Sequence, residues 1–357
     1  MSNILIKTLS YIHIGNGVFL QQGNDFLADG NGDESYIYVL NINKLASIIG
    51  TDASTIQLWA DAIKAEKVDS FIKNKLRGHE YREVALRRIA NYANISSARK
   101  TLKECIHDGM GRPYIPGSSI KGAIRTAVMA TLARPRIAKA LETAKDKERR
   151  EKIISNMEKK VLGHEAENDV FRHLATGDAF FDKGCEISVT QINLNITTSN
   201  KLRDFRKQQI VEAIAYGESS TFRLNTNKEF YEKTGLTGDN DLFRLINQHT
   251  KDLVKEDIDY WDGKGIDSED YVNNMEDILS EINSCASGEC VLRIGQASGW
   301  RFVTGAWLEE VDDDIFDSEI VPMCRRNNQR YEQYDFPKSR RIDSDSELFG
   351  FVKLKIL

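Results

Sequence analysis

The segment from Gly111 to Arg125 constrains the fold most, because it joins a turn signal directly to the start of a helix. Pro116-Gly117 is typical of a tight turn, and Ser118 or Ser119 can cap the unpaired N–H groups at a helix start. The apolar residues that follow recur every four positions, at Ile120, Ile124 and Val128. This spacing predicts a helix with one buried face that ends at about residue 133, before Pro135.

The same helix start carries groups that suit a phosphate. Lys121 and Arg125 are four residues apart and share a second stripe, beside the hydroxyls of Ser118 and Ser119 and the backbone of Gly117. Free N–H groups, hydroxyls and cations at a helix N-terminus favour an anion. The same residues also fit an ordinary capped helix with two solvated cations, and the segment alone leaves both interpretations open.

Composition limits the class of protein. A chain of 357 residues with 41% apolar and 29% charged residues indicates a soluble protein of about two domains. Five scattered cysteines without a CxxC pair argue against a disulfide framework or a zinc site, and we expect a cytoplasmic protein. We also expect no metal and no cofactor. A net charge of −5 weighs against non-specific coating of nucleic acid, but it allows a local basic groove.

A first glycine turn follows the N-terminal strand. Residues 4–14 are rich in β-branched and aromatic side chains and stop at Gly15-Asn16-Gly17. His13 precedes this turn and could act as a general base, contact a phosphate, or simply hydrogen-bond to the backbone.

A second glycine-rich loop spans residues 295–305 and follows a strand at residues 291–294. Its neighbours Arg293, Trp300 and Arg301 suit base stacking with neutralisation of a phosphate backbone. A tight hairpin with a buried Trp300 explains the same residues. A short basic patch follows later, at Lys338, Arg340 and Arg341.

The remaining pattern predicts an α+β chain. Strands are expected at residues 36–40, 186–195, 220–225 and 352–356, and amphipathic helices at residues 241–260 and 268–284. Residues 136–160 are charged with little apolar face, which predicts an exposed helical insertion.

These landmarks resemble the RAMP superfamily of CRISPR proteins. The resemblance rests on the turn at residues 13–17, the motif at 114–125, the segment 169–181 that contains Arg172, the loop at 295–305 and the closing residues 348–352. Within that superfamily, their order and the chain length are most similar to the fifth Csm subunit of type III-A effector complexes. The resemblance implies two ferredoxin-like (RRM-like) RAMP domains with helical insertions: residues 1–225, with the charged insertion near 136–160, and residues 226–357.

The resemblance also implies a function and a set of contacts. We expect a non-catalytic subunit that binds crRNA and caps the backbone filament toward the crRNA 3′ end. The implied partners are crRNA, the backbone RAMP subunit, the small subunit and host nucleases that trim the 3′ end, with no membrane. The residues expected to contact RNA are His13, Gly15, Asn16, Gly17, Gly117, Ser118, Ser119, Lys121, Arg125, Arg172, Arg293, Gln296, Trp300, Arg301, Lys338, Arg340 and Arg341.

Two other functions stay open. One is a metal-independent CRISPR endoribonuclease with His13 as general acid or base, although no second catalytic group is identifiable. The resemblance to the backbone subunit, which cuts target RNA with an aspartate, points to Asp108 and Asp178 as the candidates near motifs, but neither lies in a recognisably equivalent loop. The other is a sister RAMP subunit, either a 5′ cap or a backbone subunit.

Overall fold

A computed structural model describes residues 1–29, 35–75, 80–95, 100–142, 156–163, 167–197, 202–303, 306, 308, 316–325 and 332–357. The strands are β1 (Ser2–Thr8), β2 (Gly15–Gln21), β3 (Phe26–Asp29), β4 (Tyr36–Leu40), β5 (Ala85–Asn91), β6 (Thr101–Cys105), β7 (Tyr114–Ile115), β8 (Leu174–Thr176), β9 (Ala179–Phe180), β10 (Glu186–Asn195), β11 (Arg203–Ile214), β12 (Ser219–Thr226), β13 (Glu289–Arg293), β14 (Ser339–Asp343) and β15 (Phe351–Ile356). The helices are α1 (Ile42–Ile49), α2 (Ala53–Lys64), α3 (Val68–Lys75), α4 (Tyr81–Val84), α5 (Gly117–Glu142), α6 (Lys228–Thr234), α7 (Asp239–Trp261), α8 (Ile266–Asn283) and α9 (Val321–Cys324). None of the helices described is long and apolar enough to cross a membrane.

The first sheet is antiparallel and has the strand order β13-β15-β1-β12-β8. Its β1 strand alternates buried Ile4 and Ile6 with more exposed residues, so one face turns toward helices. Helices α5 and α7 cover that face and contribute Ile124 and Ile246 to the same core. Each such side chain stabilises the fold by about 1.5–3 kcal/mol through burial.

The second sheet has eight strands, in the order β2-β6-β11-β10-β5-β4-β3, and β14 also pairs with β10. Strand β10 therefore has two partners on one side, because its start pairs in parallel with β5 and its end pairs antiparallel with β14. Helices α7 and α8 cover β10 and β14 through a second core that includes Ile192, Ile342 and Tyr271.

Residues 9–14 join the two sheets. The predicted strand at residues 4–14 ends at Thr8 instead, and Ile12 then exchanges backbone hydrogen bonds of 3.1 and 2.9 Å with Ile214 of β11. Leu9 donates to the carbonyl of Phe351 in the first sheet at 2.8 Å. Between Leu9 and Ile12 the backbone hydrogen bonds pass from the first sheet to the second, so strand β1 ends before this segment.

The expectation that α5 ends before Pro135 is wrong. The helix runs through that proline to Glu142. Strong helix formers such as Ala138, Ala140 and Leu141 follow the proline and offset the backbone hydrogen bond that it removes. In the predicted insertion at residues 136–160, residues 143–155 lie outside the described part of the chain, and residues 156–162 are helical.

An α+β fold is confirmed, with helices packed on both of these sheets. Both sheets combine strands from either side of residue 225: β13 and β15 complete the first, and β14 joins the second. The division into residues 1–225 and 226–357 stays a prediction about folding units.

Candidate functional site

The main candidate site is a cleft of about 580 Å³ where three predicted motifs meet. The described residues that line it are Ile14, Gly15, Gly17, Lys103, Ser119, Gly122, Ala123, Thr126, Arg293, Ile294, Gly295, Gln296, Ser298, Phe302 and Val303. Two of these side chains are cationic, and none is a carboxylate. The net charge of the whole chain is −5, so the cleft departs from the chain's acidic balance and suits an anionic ligand.

Backbone contacts hold the first glycine turn against the second glycine-rich loop, here called the late loop. The N–H of Gln296 donates to the carbonyl of His13 at 3.2 Å. Gly295 has φ +88°, and a Cβ there would lie 2.7 Å from the same carbonyl oxygen, so only glycine lets the two segments approach this closely. On the other side, Ile294 donates to the carbonyl of Gly350 at 2.8 Å.

Helix α5 presents a small-residue face to this cleft. Ser119, Gly122, Ala123 and Thr126 recur at helical spacing and form the helical wall. Of the predicted phosphate ligands on this helix, Ser119 therefore lies in the cleft.

The first turn of α5 is already occupied by protein groups. The N–H of Gly117 donates to Oδ1 of Asp178 at 2.7 Å, and the hydroxyl of Thr176 donates to the carbonyl of Gly117 at 2.6 Å. A carboxylate satisfies this helix N-terminus and disfavours a phosphate at the same N–H. The next residue, Ser118, is exposed.

The structure does not bring Lys121 and Arg125 to the cleft. At about 100° per residue, Lys121 lies about 160° around the helix from Ser119. Arg125 forms ion pairs with Asp169 at 2.9 Å and Glu158 at 3.0 Å. These carboxylates neutralise the cation that the sequence assigned to a phosphate.

Arg293 lies at the floor of the cleft and is only 2% exposed. Its guanidinium stands 4.9 Å from the ring centre of Phe302 and 4.6 Å from that of Phe351, and its Nε donates to the carbonyl of Phe349 at 3.0 Å. Both terminal nitrogens are buried without a hydrogen-bond partner among the described residues. Burial lowers the pKa of Arg293, while nearby Tyr271 and Asp257 act in the opposite direction.

A second cation crosses the cleft from the other sheet. Lys103 of β6 donates to Oε1 of Gln296 at 2.5 Å, which links β6 to the late loop. Burial lowers the pKa of Lys103, and the like charge of Arg341 on β14 lowers it further. Arg341 is half-buried, with its pKa also lowered by burial. Arg341 thus extends the cationic surface beside the cleft.

The first turn supplies two lining glycines, but His13 is 2% exposed. Its Nδ1 donates to the carbonyl of Glu212 at 2.6 Å, and burial lowers the pKa of the ring. Asn16 is exposed, and its amide donates to Glu104 at 2.6 Å. The backbone role of His13 is thus the interpretation that the geometry favours.

The remaining predicted residues have other partners. Trp300 packs against Phe316 and Phe336, with ring centres 5.7 and 4.9 Å away. Arg301 pairs with Glu256 at 3.1 Å, and Arg172 donates to the carbonyl of Glu167.

The basic patch is divided between the interior and the surface. Arg340 is 4% exposed, and its Nε lies 2.9 and 3.0 Å from the two carboxylate oxygens of Asp257. Lys338 is half-buried and lies two residues after Phe336. Arg340 therefore stabilises the fold, and of the patch only Arg341 approaches Lys103.

Sequence reasoning missed a buried ionic network beside the first turn. Arg87 donates to Glu212 at 2.9 Å and to Glu104 at 2.7 Å. His107 uses Nδ1 toward the carbonyl of Cys105 at 2.9 Å and Nε2 toward Glu186 at 3.1 Å. Glu104, His107 and Glu212 are close enough to hold a metal ion. The oxygen and nitrogen atoms that would bind the metal already form these hydrogen bonds. The network therefore does not fit a metal centre.

The fold and the cleft define a class: an α+β protein with glycine turns around a cationic cleft. The chain belongs to the RAMP superfamily, because the sequence profile of that superfamily matches residues 5–302.

Similar proteins include two Csm5 proteins and a chain of a type III-A complex. The CRISPR system Cms protein Csm5 of Streptococcus thermophilus is 31% identical over 137 residues, which is 35% of this chain and 37% of that protein. The match thus spans little more than a third of the relative's length. A chain in the cryo-EM structure of a Csm–crRNA–target RNA ternary complex of a type III-A system shares the fold, with a TM-score of 0.72, 19% identity and coverage of 99% of this chain and 100% of that one. The crystal structure of T. onnurineus Csm5 has a TM-score of 0.64, 19% identity and the same coverage.

Proposed function

We propose that this chain is a non-catalytic crRNA-binding subunit of a type III-A CRISPR effector complex. It caps the backbone filament toward the crRNA 3′ end and contacts the backbone RAMP subunit and the small subunit. The observation that carries RNA binding is the cleft: glycine backbone, hydroxyls, Lys103 and Arg293 meet there without a lining carboxylate. Such a surface neutralises phosphates and leaves room for the close approach of a sugar–phosphate backbone.

The relatives support the setting of this function. The superfamily match, the similarity to Csm5 and the shared fold with a chain of a Csm–crRNA complex point to the same kind of assembly. The similarity to Csm5 supports the proposed capping position. In a filament end cap, one face of the chain contacts the neighbouring subunit and the cleft receives the end of the RNA.

The strand order supports one ferredoxin-like domain. Strands β15, β1, β12 and β8 lie in the order 4-1-3-2 when numbered along the chain as the four strands of a β-α-β-β-α-β unit. Helix α5 precedes β8, and α7 and α8 precede β15. The second sheet would then be the core of a further, elaborated RAMP unit.

The burial of His13 argues against the endoribonuclease alternative. A general acid or base must reach the substrate proton within hydrogen-bond distance. His13 instead donates from Nδ1 to the carbonyl of Glu212 and is 2% exposed. Asp108 accepts from Arg112 and Asp178 accepts from Gly117, so both carboxylates have structural partners.

A charge placed in the cleft tests the function. Gly122 lines the cleft, and a Cβ there meets no atom within 4 Å, so Gly122→Glu adds a carboxylate without a clash. We expect the purified chain to bind single-stranded repeat-containing RNA, and Gly122→Glu to weaken that binding at least tenfold. Gly109→Glu is the matched control, since Gly109 is exposed, has equally open space and lies outside the cleft lining. Equal affinity of both variants and the parent chain would place the RNA elsewhere.

The same samples test catalysis and assembly. We expect no discrete cleavage of repeat RNA with or without Mg²⁺; cleavage that is lost in His13→Ala would support the endoribonuclease instead. Co-purification with the sister subunits and a crRNA of defined length tests the end-cap position. Loss of this chain from the complex should leave the remaining filament intact with altered RNA 3′ ends.

A further inference from the structure

Phe19 is an exposed aromatic residue on β2, the strand at one edge of the second sheet. The residue is 52% exposed. Its neighbour Leu20 packs into the core on one face of the sheet, so Phe19 points from the other face. That other face carries Lys103, the cross-strand partner of Phe19 in β6, whose side chain reaches Gln296 of the late loop. Phe19 therefore lies on the face that opens toward the cleft.

A bulge in β2 sets the position of this ring. The pairing with β6 shifts between Gly15 and Phe19, because four residues along β2 correspond to two along β6. Inside the bulge, Oδ1 of Asn16 accepts the N–H of Val18 at 2.8 Å. Bulges re-aim side chains and are frequent next to functional sites. Gly15 and Gly17 of this bulge line the cleft, so the ring of Phe19 continues the cleft wall.

A cation accompanies the ring. Nζ of Lys103, which also lines the cleft, lies 5.8 Å from the centre of the Phe19 ring. Contact with water makes an exposed aromatic ring costly in free energy, and a stacked nucleobase removes that cost. The sequence suggested Trp300 for base stacking, but that ring packs against other aromatic rings. Phe19 thus offers an open aromatic ring beside the cleft.

We propose that Phe19 is a stacking platform for one nucleobase of the RNA, with Lys103 placed for a phosphate of the same strand. This inference rests on the RNA binding proposed above and assigns one base contact to it. In a nucleotide only a sugar separates the base from the phosphate, so a ring and an ammonium group 5.8 Å apart can contact neighbouring parts of one strand. The contact is independent of base identity, because every base has a π-face.

RNA with a single abasic position tests the stacking, because it keeps every phosphate and lacks one base. In the shortest single-stranded RNA that keeps full affinity, an abasic site at one position should weaken binding to the parent chain by about five- to 150-fold, the range for one base stacked on an aromatic ring. Phe19→Ala should lose affinity for the intact RNA to a similar extent and should no longer respond to that abasic site. Phe19→Tyr keeps the ring and should keep both the affinity and the response.

Salt dependence separates the ring from the cation. Phe19→Ala should leave the slope of log K against log salt concentration unchanged, since no phosphate contact is lost. Lys103→Met should make that slope shallower by about 0.7, the value for one phosphate contact on a single strand. Phe205→Ala is the matched control, since Phe205 is 48% exposed on β11, outside the cleft lining, and this variant should bind RNA like the parent chain.

The possible failures are distinguishable. Unchanged RNA affinity in Phe19→Ala would overturn the stacking platform and leave the proposed function standing. If that variant also co-purifies less well with the sister subunits, the ring contacts a protein instead. A loss of affinity in Phe19→Ala that is equal for intact RNA and for every abasic RNA would show a contact with the sugar–phosphate backbone and would likewise overturn the platform. A parent chain that binds no RNA would overturn both the function and the platform.

Discussion

Arg340 and Asp257 form a buried ion pair between β14 and α7, with 2.9 and 3.0 Å from the arginine Nε to the two carboxylate oxygens. Neither residue is more than 4% exposed. The two residues are 83 positions apart in the sequence. Their ion pair attaches β14, which pairs with β10, to the helical layer. The Asp257 carboxylate also lies near Arg293, whose charge contributes to lowering its pKa.

Removal of one partner of this pair should destabilise the fold. We expect Arg340→Met to lower the free energy of unfolding in urea by about 3–5 kcal/mol, because Asp257 would stay buried without its cation. Arg88→Met, which removes an exposed guanidinium, should change it by less than about 0.5 kcal/mol. A loss as small as in this control would mean that the pair is not buried in solution.

The same pair has a pH signature. Burial alone raises the pKa of Asp257, but Arg340 outweighs burial and holds the pKa below the usual range. A carboxyl whose pKa is depressed by folding contributes stability above its unfolded pKa of about 3.9, and loses it as the pH falls below that value. The difference between the parent chain and Arg340→Met should therefore shrink below about pH 4.

Two glycines of α5 should respond oppositely to alanine. A Cβ at Gly117 would lie 2.2 Å from the carbonyl oxygen of Thr176, whereas a Cβ at Gly122 meets nothing within 4 Å. We expect Gly117→Ala to lower the free energy of unfolding by about 1–3 kcal/mol or more, because the helix start must move away from β8. Gly122→Ala should raise it by up to about 1 kcal/mol through helix propensity. Similar changes in urea denaturation for both variants would contradict the close approach at Gly117.

Regular local patterns predicted much of the fold. The predicted strand at residues 186–195 has the bounds of β10, and the two helices of the second half begin and end within two residues of α7 and α8. Strand β11 was missed, because residues 205–208 are all exposed and lack the alternation that marks a half-buried strand. Arg340 was taken for a surface cation, since nothing near it in the sequence indicates Asp257.

The glycines of the candidate site were predicted more accurately than its cations. Turns and glycines are local signals, and Gly15, Gly17 and Gly295 do meet in the cleft. Lys103 gave no such signal, because it reaches the cleft only through the pairing of β6 with β2 and β11. The cations chosen on α5 follow the helix start, but the helical period turns them away from the cleft.

Asp343 should make the fold less stable as the pH rises. Burial raises the pKa of this carboxyl to about 6, and the nearby Asp345 and Glu347 charges add to the effect. A group whose pKa is raised by folding contributes its stability below the unfolded pKa of about 3.9, and that contribution is lost as the pH rises through about 6.

Asp343→Asn tests this sign. The amide oxygen can still accept the N–H groups of Asp345 and Glu347, each at 2.8 Å. With allowance for solvent screening, we expect the variant to be about 1 kcal/mol more stable than the parent at pH 7.5, and no more stable at pH 3.5. Urea denaturation at several pH values gives the comparison. A gain that is constant across this range would exclude titration of Asp343 as its cause.

Lys103 and Gln296 should have opposite effects on RNA binding. Lys103 donates to Gln296 across the cleft, so a phosphate that binds Lys103 must compete with that amide. We expect Lys103→Met to weaken RNA binding about tenfold or more, since a hydrogen bond to a charged group contributes about 1.5–3 kcal/mol. Gln296→Leu should strengthen binding by about two- to tenfold, because it removes a competing bond of about 0.5–1.5 kcal/mol.

The double variant separates this competition from a direct role of Gln296. If Gln296 acts only by holding Lys103, then Gln296→Leu has no further effect in the Lys103→Met background, and the coupling between the two changes equals the whole gain. If Gln296 itself contacts the RNA, as its place in the loop predicts, Gln296→Leu weakens binding in both backgrounds. Fluorescence titration of the four proteins with one labelled RNA at fixed salt distinguishes the two outcomes by sign, which does not depend on the size of either effect.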